Sequence, residues 1–343
     1  MDADIVRIFS LFSDAAPSDA QVIETSRGDR DFRAAVIVKT GPGPGYVLKL
    51  ADNDFTFPDK IAVWQRTAEE YRKLGVWCPR IFRDRTGVFP TVDFRGRRCA
   101  AYMEEYSPFR PALDDLNDEK QTAAVYGRLK RDIWRMTGRV AAQYFDYSPY
   151  PSGYCLFETF CPSDRTDEVL ENALAWREYA ATLPEKFRER TDRIWRLWTD
   201  NRAALEKIYQ SLPSSVFQAD LNLTNILVDD EGAFAGVYDF NLCGRDVFLN
   251  YLMRENSASG IREALRTAAE VYRFSEAEIR AAPMMYRCLK PLWYTRLKAL
   301  KKLGDDRRAI AAFLEETERS LTGPLDFRAD MTAAAQGGDQ DAG

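Results

Sequence analysis

Histidine is missing from all 343 residues. Its absence removes Ser-His-Asp and Cys-His nucleophile systems and every His-containing metal site, so a general base has to be a carboxylate, Lys, Tyr or Cys. Cysteine is sparse and dispersed. The six, at 78, 99, 155, 161, 243 and 288, contain no C-x-x-C pair, which excludes a zinc ribbon and a thioredoxin-like dithiol and predicts a reducing, cytoplasmic setting. No apolar run approaches a membrane span, and the opening M-D-A-D-I-V-R-I-F-S carries acids where a secretory signal carries bases, so no membrane partner is expected. Charge of a single sign is lacking too. Lys plus Arg total 48 against 53 Asp plus Glu, a net of −5 mixed along the chain, which does not suggest a nucleic-acid partner. No internal repeat is present, and nothing here fixes an oligomeric state.

What is present is enough chain for two subdomains sharing a cleft. After a short amphipathic helix, strand-like alternation runs through Gln21 to Thr25, Phe32 to Lys39 and Tyr46 to Leu50, with turns at Ser26-Arg27-Gly28-Asp29-Arg30 and Gly41 to Gly45. A helix from Asp59 to Leu74 follows, placing Ile61, Trp64, Ala68 and Tyr71 on one face. Two more strand-like runs end in C-A-A-Y-M-E-E-Y-S-P, residues 99–108. Beyond Pro111 the pattern is helical to about Gln210, and helical again over 258–274, 275–282 and 284–303. The expected organisation is α+β: a β-rich lobe over residues 1–106, a mainly helical lobe over 107–327, and a disordered tail over 328–343 that lacks bulky apolar residues.

The chemistry is concentrated between Ser215 and Tyr251. Val216 and Phe217 lead into the polar loop Gln218 to Asn225. Ile226 to Val228 and Ala233 to Tyr238 then flank the turn D-D-E-G, which reads as a β-hairpin. A hairpin returns the chain to where it left, so Asp239 should lie near Asn225, and Asp220, Asn225 and Asp239 should converge. A carboxylate and an amide oxygen at that separation suit Mg²⁺, a hard cation that completes its shell with water and phosphate, and leave Asp220 as a candidate base. D-x-x-x-x-N also occurs at Asp167 and Asn172, but in a helical pattern with no hairpin after it. Lys49 stands in the middle of an apolar strand, where a lone ammonium is costly to bury without a partner.

This order, a strand, D-x-x-x-x-N, a hairpin and then D-F, resembles the aminoglycoside phosphotransferase and choline kinase family, whose fold is protein-kinase-like. The resemblance runs from about Gln21 to Leu252. It implies that Asp220 aligns an acceptor hydroxyl and accepts its proton late, that Asn225 and Asp239 bind Mg²⁺, and that Lys49 orients the phosphates of ATP. It further implies that the turn with Ser26 and Gly28 covers those phosphates, that backbone groups near Glu105 and Tyr106 meet an adenine edge, and that a Glu on the first long helix pairs with Lys49. The family's usual place for that Glu is Thr67 here, so Glu70 is the nearer candidate. Two departures stand out: Gln218 replaces the usual His before the catalytic Asp, and Asn250 replaces the second Asp of G-D-P-x-x-D.

The resemblance implies an ATP- and Mg²⁺-dependent phosphotransferase for a small hydroxylated molecule: an aminoglycoside, a choline-like amine alcohol, or a sugar or amino-acid alcohol. Glu158, Asp164, Asp167 and Glu168 would serve a polycationic acceptor; Tyr150, Tyr154, Phe157, Trp293 and Tyr294 would serve a quaternary ammonium. A non-catalytic nucleotide-binding scaffold on the same fold is the alternative that the two departures support.

Overall fold

The computed structural model describes residues 2–28, 30–41 and 44–332. The turns at Ser26–Arg30 and Gly41–Gly45 therefore lie partly outside the described residues. A short helix α1 (Ala3–Phe9) precedes strands β1 (Asp19–Glu24), β2 (Phe32–Lys39) and β3 (Pro44–Asp52); helix α2 (Pro58–Lys73) follows, then β4 (Ile81–Phe82), β5 (Thr91–Phe94) and β6 (Arg97–Glu105). The sheet is antiparallel in the order β1-β2-β3-β6-β4, with β5 also paired to β6. Strict alternation makes β2 two-faced: Phe32, Ala34, Val36 and Val38 are buried and their neighbours are not. That face packs with Ile5, Ile8 and Phe9 of α1 into a core of its own. The opposite side receives α2, whose Ile61, Trp64, Ala68 and Tyr71 join the larger core.

The chain leaves β6 at Glu105 and enters a mainly helical part through β7 (Arg110–Pro111), α3 (Glu119–Ala141), α4 (Glu168–Ala180) and α5 (Arg188–Tyr209). Four short strands come next: β8 (Ser215–Phe217), β9 (Ile226–Val228), β10 (Phe234–Val237) and β11 (Gly244–Asp246). Helices α6 (Phe248–Glu255), α7 (Ile261–Ala269), α8 (Glu276–Leu289), α9 (Tyr294–Lys302), α10 (Arg307–Thr322) and α11 (Arg328–Thr332) complete the described chain. β9 and β10 form the expected hairpin, extended by β7, while β11 returns to pair with β8. The fold is thus α+β, with an antiparallel sheet followed by a helical part. Among the described residues no helix is long and apolar enough to cross a membrane.

Two boundaries differ from expectation. The helix expected to stop at Ala282 runs through Pro283 to Leu289. An interior proline costs a helix about 3 kcal/mol, but Ala281, Ala282 and Met285 beside it are fully buried, and burial of that face outweighs the local penalty. The expected tail is also too long at its start: Arg328–Thr332 is helical, with Asp330 held by Arg262 and Arg266 of α7 and Met331 buried. A single acid between two arginines anchors this turn, which a search for bulky apolar residues overlooks. Residues 333–343 lie outside the described ones.

Candidate active site

The hairpin brings the predicted trio together. The Tyr238 amide donates to the Asn225 carbonyl at 3.1 Å, which sets Asp239 beside the end of the polar loop. The Asn225 side-chain amide donates to the Asp220 carbonyl at 3.0 Å and to Asp220 Oδ2 at 3.2 Å, and Asn222 Nδ2 donates to Asp220 Oδ1 at 2.9 Å. Both carboxylate oxygens of Asp220 are thus aimed by neutral amides. Burial raises the Asp220 pKa, opposed by the Asn222 bond and reinforced by the nearby Asp239 charge. Asp239 itself sits in the left-handed region at φ 59°, a turn that leads directly into the short 3₁₀ segment Phe240–Leu242.

Gln218 does the work of lacing the two halves of this site. Its Nε2 donates to the carbonyls of Tyr238 and Asp239, and its Oε1 accepts from the Asp220 amide at 3.2 Å. An amide has both donor and acceptor, so it can hold the loop and the returning strand at once. Asn250 donates to both Asp246 oxygens and to the Tyr154 carbonyl. Asp246 is buried and also accepts from Ser152 and Tyr209. Both departures from the family pattern are therefore built into hydrogen-bond networks. The second D-x-x-x-x-N copy is a helix start: Asp167 caps α4, accepting from the Leu170 amide.

Lys49 lies in β3 with its ammonium 3.6 Å from Asp239 Oδ1 and 4.0 Å from Glu104 Oε2. Burial pulls its pKa down, but those two carboxylates outweigh it and the net shift is upward. Glu70 is not its partner: Glu70 pairs with Lys73, one turn along the same helix, at 2.9 Å. Thr67 is fully buried and donates to the Val63 carbonyl. The partner comes from the neighbouring strand instead. Lys49 is opposite Tyr102, so Glu104 is its diagonal neighbour on the same face of the sheet. Burial pushes Glu104 up to about 7, with Lys49 pulling down and Asp239 pushing up. A sequence signal existed, an acid at the end of an otherwise apolar strand, but the pairing register needed to read it did not.

The remaining predicted residues divide. Ser26 turns back into its own hairpin, donating to Glu24 and accepting from the Arg33 amide. Gly28 has φ +86° with open space around it, so its conformation, not crowding, calls for glycine. The Glu105 amide donates to the Arg80 carbonyl, and its carboxylate holds Arg72 at 3.2 Å, so that amide is already engaged. Tyr106 is the first residue beyond β6.

A cavity of about 590 Å³ opens between the sheet and the helical part, with Asp220, Asn225 and Asp239 in its wall. From the first hairpin of the sheet it takes Thr25, Arg27, Asp31 and Arg33; Arg27 belongs to the turn read in the sequence as covering phosphates, whereas Arg33 was not singled out, because an alternating strand position carries no motif. From the helical part it takes Tyr154, Glu158, Asp164, Asp167, Glu168 and Glu171. Several of these acids already have cationic partners: Glu158 binds Arg245 at 2.8 Å, Glu168 binds Arg254 at 3.3 Å, and Asp167 binds Arg202. Glu171 shows the surplus: burial, then Asp164, Glu168 and Asp167, raise its pKa. Of the aromatic set, Tyr154 alone lines the cavity, and Arg254 stacks on it at 3.2 Å. Arg202 covers Phe157, and Lys298 lies over the Tyr294 ring.

An antiparallel sheet carrying a lysine, a helical part carrying D-x-x-x-x-N, and an aspartate after a hairpin define a kinase-like phosphotransferase fold. The chain belongs to the phosphotransferase enzyme family, whose model matches residues 22–250. It is similar in structure to an amicoumacin kinase in complex with AMP-PNP, Ca²⁺ and Ami, at 18% identity and a TM-score of 0.54, covering 96% of this chain and 97% of that one. It is also similar to a microcompartment-associated aminopropanol kinase, at 17% identity and a TM-score of 0.50, covering 92% and 94%. At these identities the likeness is one of fold. Comparison with curated proteins gives no match.

Proposed function

We propose that this protein transfers the terminal phosphoryl group of ATP to a hydroxyl of a small, amine-bearing molecule. The observation that carries the reading is a single cavity in which Asp220, Asn225 and Asp239 stand at one side and an excess of acids at the other. Eight carboxylates line it; Glu158, Glu168 and Asp167 are neutralised by arginines, and Asp164 and Glu171 remain across from Asp220 as the acids suited to an ammonium-bearing acceptor. Arg202 and Arg254 cover Phe157 and Tyr154, which favours a primary or secondary amine over a choline-like one. The aminopropanol kinase acts, by its name, on an amino alcohol.

The acceptor hydroxyl donates to Asp220. As the new oxygen–phosphorus bond forms and the bond between the terminal phosphorus and the ADP oxygen breaks, the hydroxyl proton passes to the carboxylate. Burial favours the protonated form of Asp220, which helps it take that proton late in the step. Asn222 and Asn225 fix the carboxylate, so alignment is set before substrate arrives. Lys49, held by Glu104 and Asp239, meets the phosphates. The adenine edge falls to the Tyr106 backbone, since the Glu105 amide is engaged.

The donor set fits Mg²⁺. Asn225 gives its amide nitrogen to Asp220, which directs its oxygen away from that carboxylate, and Asp239 adds a carboxylate. The set is thus mixed carboxylate and amide. Bound there, Mg²⁺ supplies charge neutralisation of the phosphates.

The test is ATP consumption with Mg²⁺ across amino alcohols, aminoglycosides, choline and neutral sugars, for wild type and Asp220→Asn. Turnover with an amine-bearing acceptor should fall by about 10³-fold or more in the variant, while ATP affinity stays within about twofold. ATP binding without any Asp220-dependent turnover would replace this reading with a nucleotide-binding scaffold.

A further inference from the structure

Three buried polar atoms in the wall of the interlobe cavity have no hydrogen-bond partner among the described residues, the Thr166 hydroxyl and two of opposite character: Arg33 Nε, a donor, and Asn241 Oδ1, an acceptor. Both side chains line the large cavity, and both also line a smaller pocket of about 50 Å³ shared with Lys49, Tyr102 and Asp239. They do not satisfy each other. Buried polar groups in folded proteins are nearly always paired, so two orphans facing one cleft call for an occupant with an acceptor for the first and a donor or cation for the second.

Each group is held in place on its other side. Arg33 is the second residue of β2, where its Nη2 donates to Asp31 Oδ2 at 2.9 Å and its guanidinium lies 5.9 Å from the centre of the Phe55 ring. Asp31 is itself fixed by Asn53 Nδ2 at 3.1 Å. One edge of the guanidinium is anchored and Nε is left over. Asn241 follows Phe240 in the run after Asp239, and its Nδ2 approaches Asp239 Oδ2 at 3.5 Å. The opposite amide orientation would set Oδ1 against a carboxylate, so the network assigns the free atom as oxygen.

Resting on the phosphotransferase reading, we propose that Arg33 and Asn241 form the receptor for the terminal phosphate together with its cation. Arg33 Nε donates to a non-bridging oxygen of the terminal phosphoryl group. Asn241 Oδ1 adds a third oxygen to those of Asn225 and Asp239 around the cation. Lys49, whose ammonium is shared between Glu104 and Asp239, is left to the phosphates nearer the nucleoside. A guanidinium is the fitting group here, because its planar fork can keep Asp31 on one edge while offering another donor to phosphate, which an ammonium cannot reproduce.

The inference makes ATP and ADP distinguishable at Arg33, because ADP lacks the group Arg33 would hold. Calorimetric titrations of ATP and ADP, each with and without Mg²⁺, compare wild type, Arg33→Lys, Arg33→Gln and Asn241→Ala. Wild type should prefer ATP; Arg33→Gln should lose about tenfold or more in ATP affinity with ADP affinity changed less than about twofold, and Arg33→Lys should not restore the preference. Asn241→Ala should reduce the gain in ATP affinity that Mg²⁺ brings, leaving metal-free binding unchanged. Thermal unfolding temperatures equal to wild type identify variants that fold normally, and the lysine variant keeps the charge if the glutamine variant does not fold. An unchanged ATP-to-ADP ratio in folded Arg33 variants overturns the inference while Asp220-dependent turnover leaves the functional reading standing. Failure of the wild type to bind either nucleotide overturns both.

Discussion

The clearest lesson at the scale of single residues is the partner of Lys49. On a helix, a candidate partner is found by counting turns, and counting led to Glu70; in a sheet it is found by register, and register delivers Glu104. The two acids differ in environment as well as geometry. Glu70 pairs with a largely exposed lysine, a contact worth about 0–1 kcal/mol, while Glu104 is 3% exposed and its pKa is pushed up to about 7. Phosphate arriving at Lys49 adds negative charge near Glu104 and raises its pKa further, so binding takes up a proton. Nucleotide affinity should therefore strengthen as pH falls through about 8 to 6, and Glu104→Gln should flatten that dependence. Glu70→Gln should leave both affinity and slope as in wild type. Titrations at pH 6, 7 and 8 decide it; a steep slope that survives in Glu104→Gln would assign the proton elsewhere.

At the scale of elements, the hairpin was legible because its turn chemistry is local: D-D-E-G between two apolar runs specifies a reversal without knowledge of anything distant. Asp220, Asn225 and Asp239 came with it. The strands of the first sheet were legible by alternation, and α2 by its apolar stripe. What escaped the sequence is everything set by contact between elements: Glu104 through strand pairing, Arg33 through the facing of β2 toward the cleft, and the continuation of α8 through Pro283. Docking of the hairpin belongs to this class. Gly236 lies against Trp77, where an added Cβ would stand 2.2 Å from the Trp77 carbonyl oxygen, and the same carbonyl accepts from the Val237 amide at 3.0 Å. Gly236→Ala must push backbone off backbone, costing about 1–3 kcal/mol or more and disturbing β10, the strand that leads to Asp239. Gly75→Ala makes the instructive comparison: its φ of +82° is strained for alanine, but nothing lies within 4 Å. Both variants should lower the unfolding temperature, and only Gly236→Ala should also weaken nucleotide binding. Equal nucleotide affinity in the two would mean that the hairpin tolerates displacement.

Across the whole molecule, the seam between the sheet-bearing part and the helical side of the cleft is stitched by an unusual residue. Lys60 of α2 is 1% exposed, donates to the Phe160 carbonyl at 3.2 Å, and rests 3.3 Å from the centre of the Phe160 ring, with Tyr150 and Phe55 each 6.0 Å away. Phe55 against Phe160 and Phe57 against Tyr150 extend the same seam. Burial lowers the Lys60 pKa to about 8, against the upward pull of Cys161, Cys243, Asp164 and Asp54. A folded pKa below the unfolded value of 10.5 means that the unfolded chain holds this proton to higher pH, so the group's contribution to stability rises between about pH 8 and 10.5. Below that window the buried charge costs roughly 3 kcal/mol, while its contact with the Phe160 face returns about 2 kcal/mol. The terms nearly cancel, and the remainder opposes folding at neutral pH. Lys60→Met, which keeps the length and removes the charge, should consequently be more stable than wild type by about 1 kcal/mol at pH 7, an advantage that vanishes by pH 10. Urea midpoints of the two proteins at both pH values isolate Lys60 from the other groups that titrate in this range, since those are common to both. A variant that is instead less stable at pH 7 would show that the aromatic contact and the Phe160 hydrogen bond together outweigh burial, and that the seam depends on a charge held out of water.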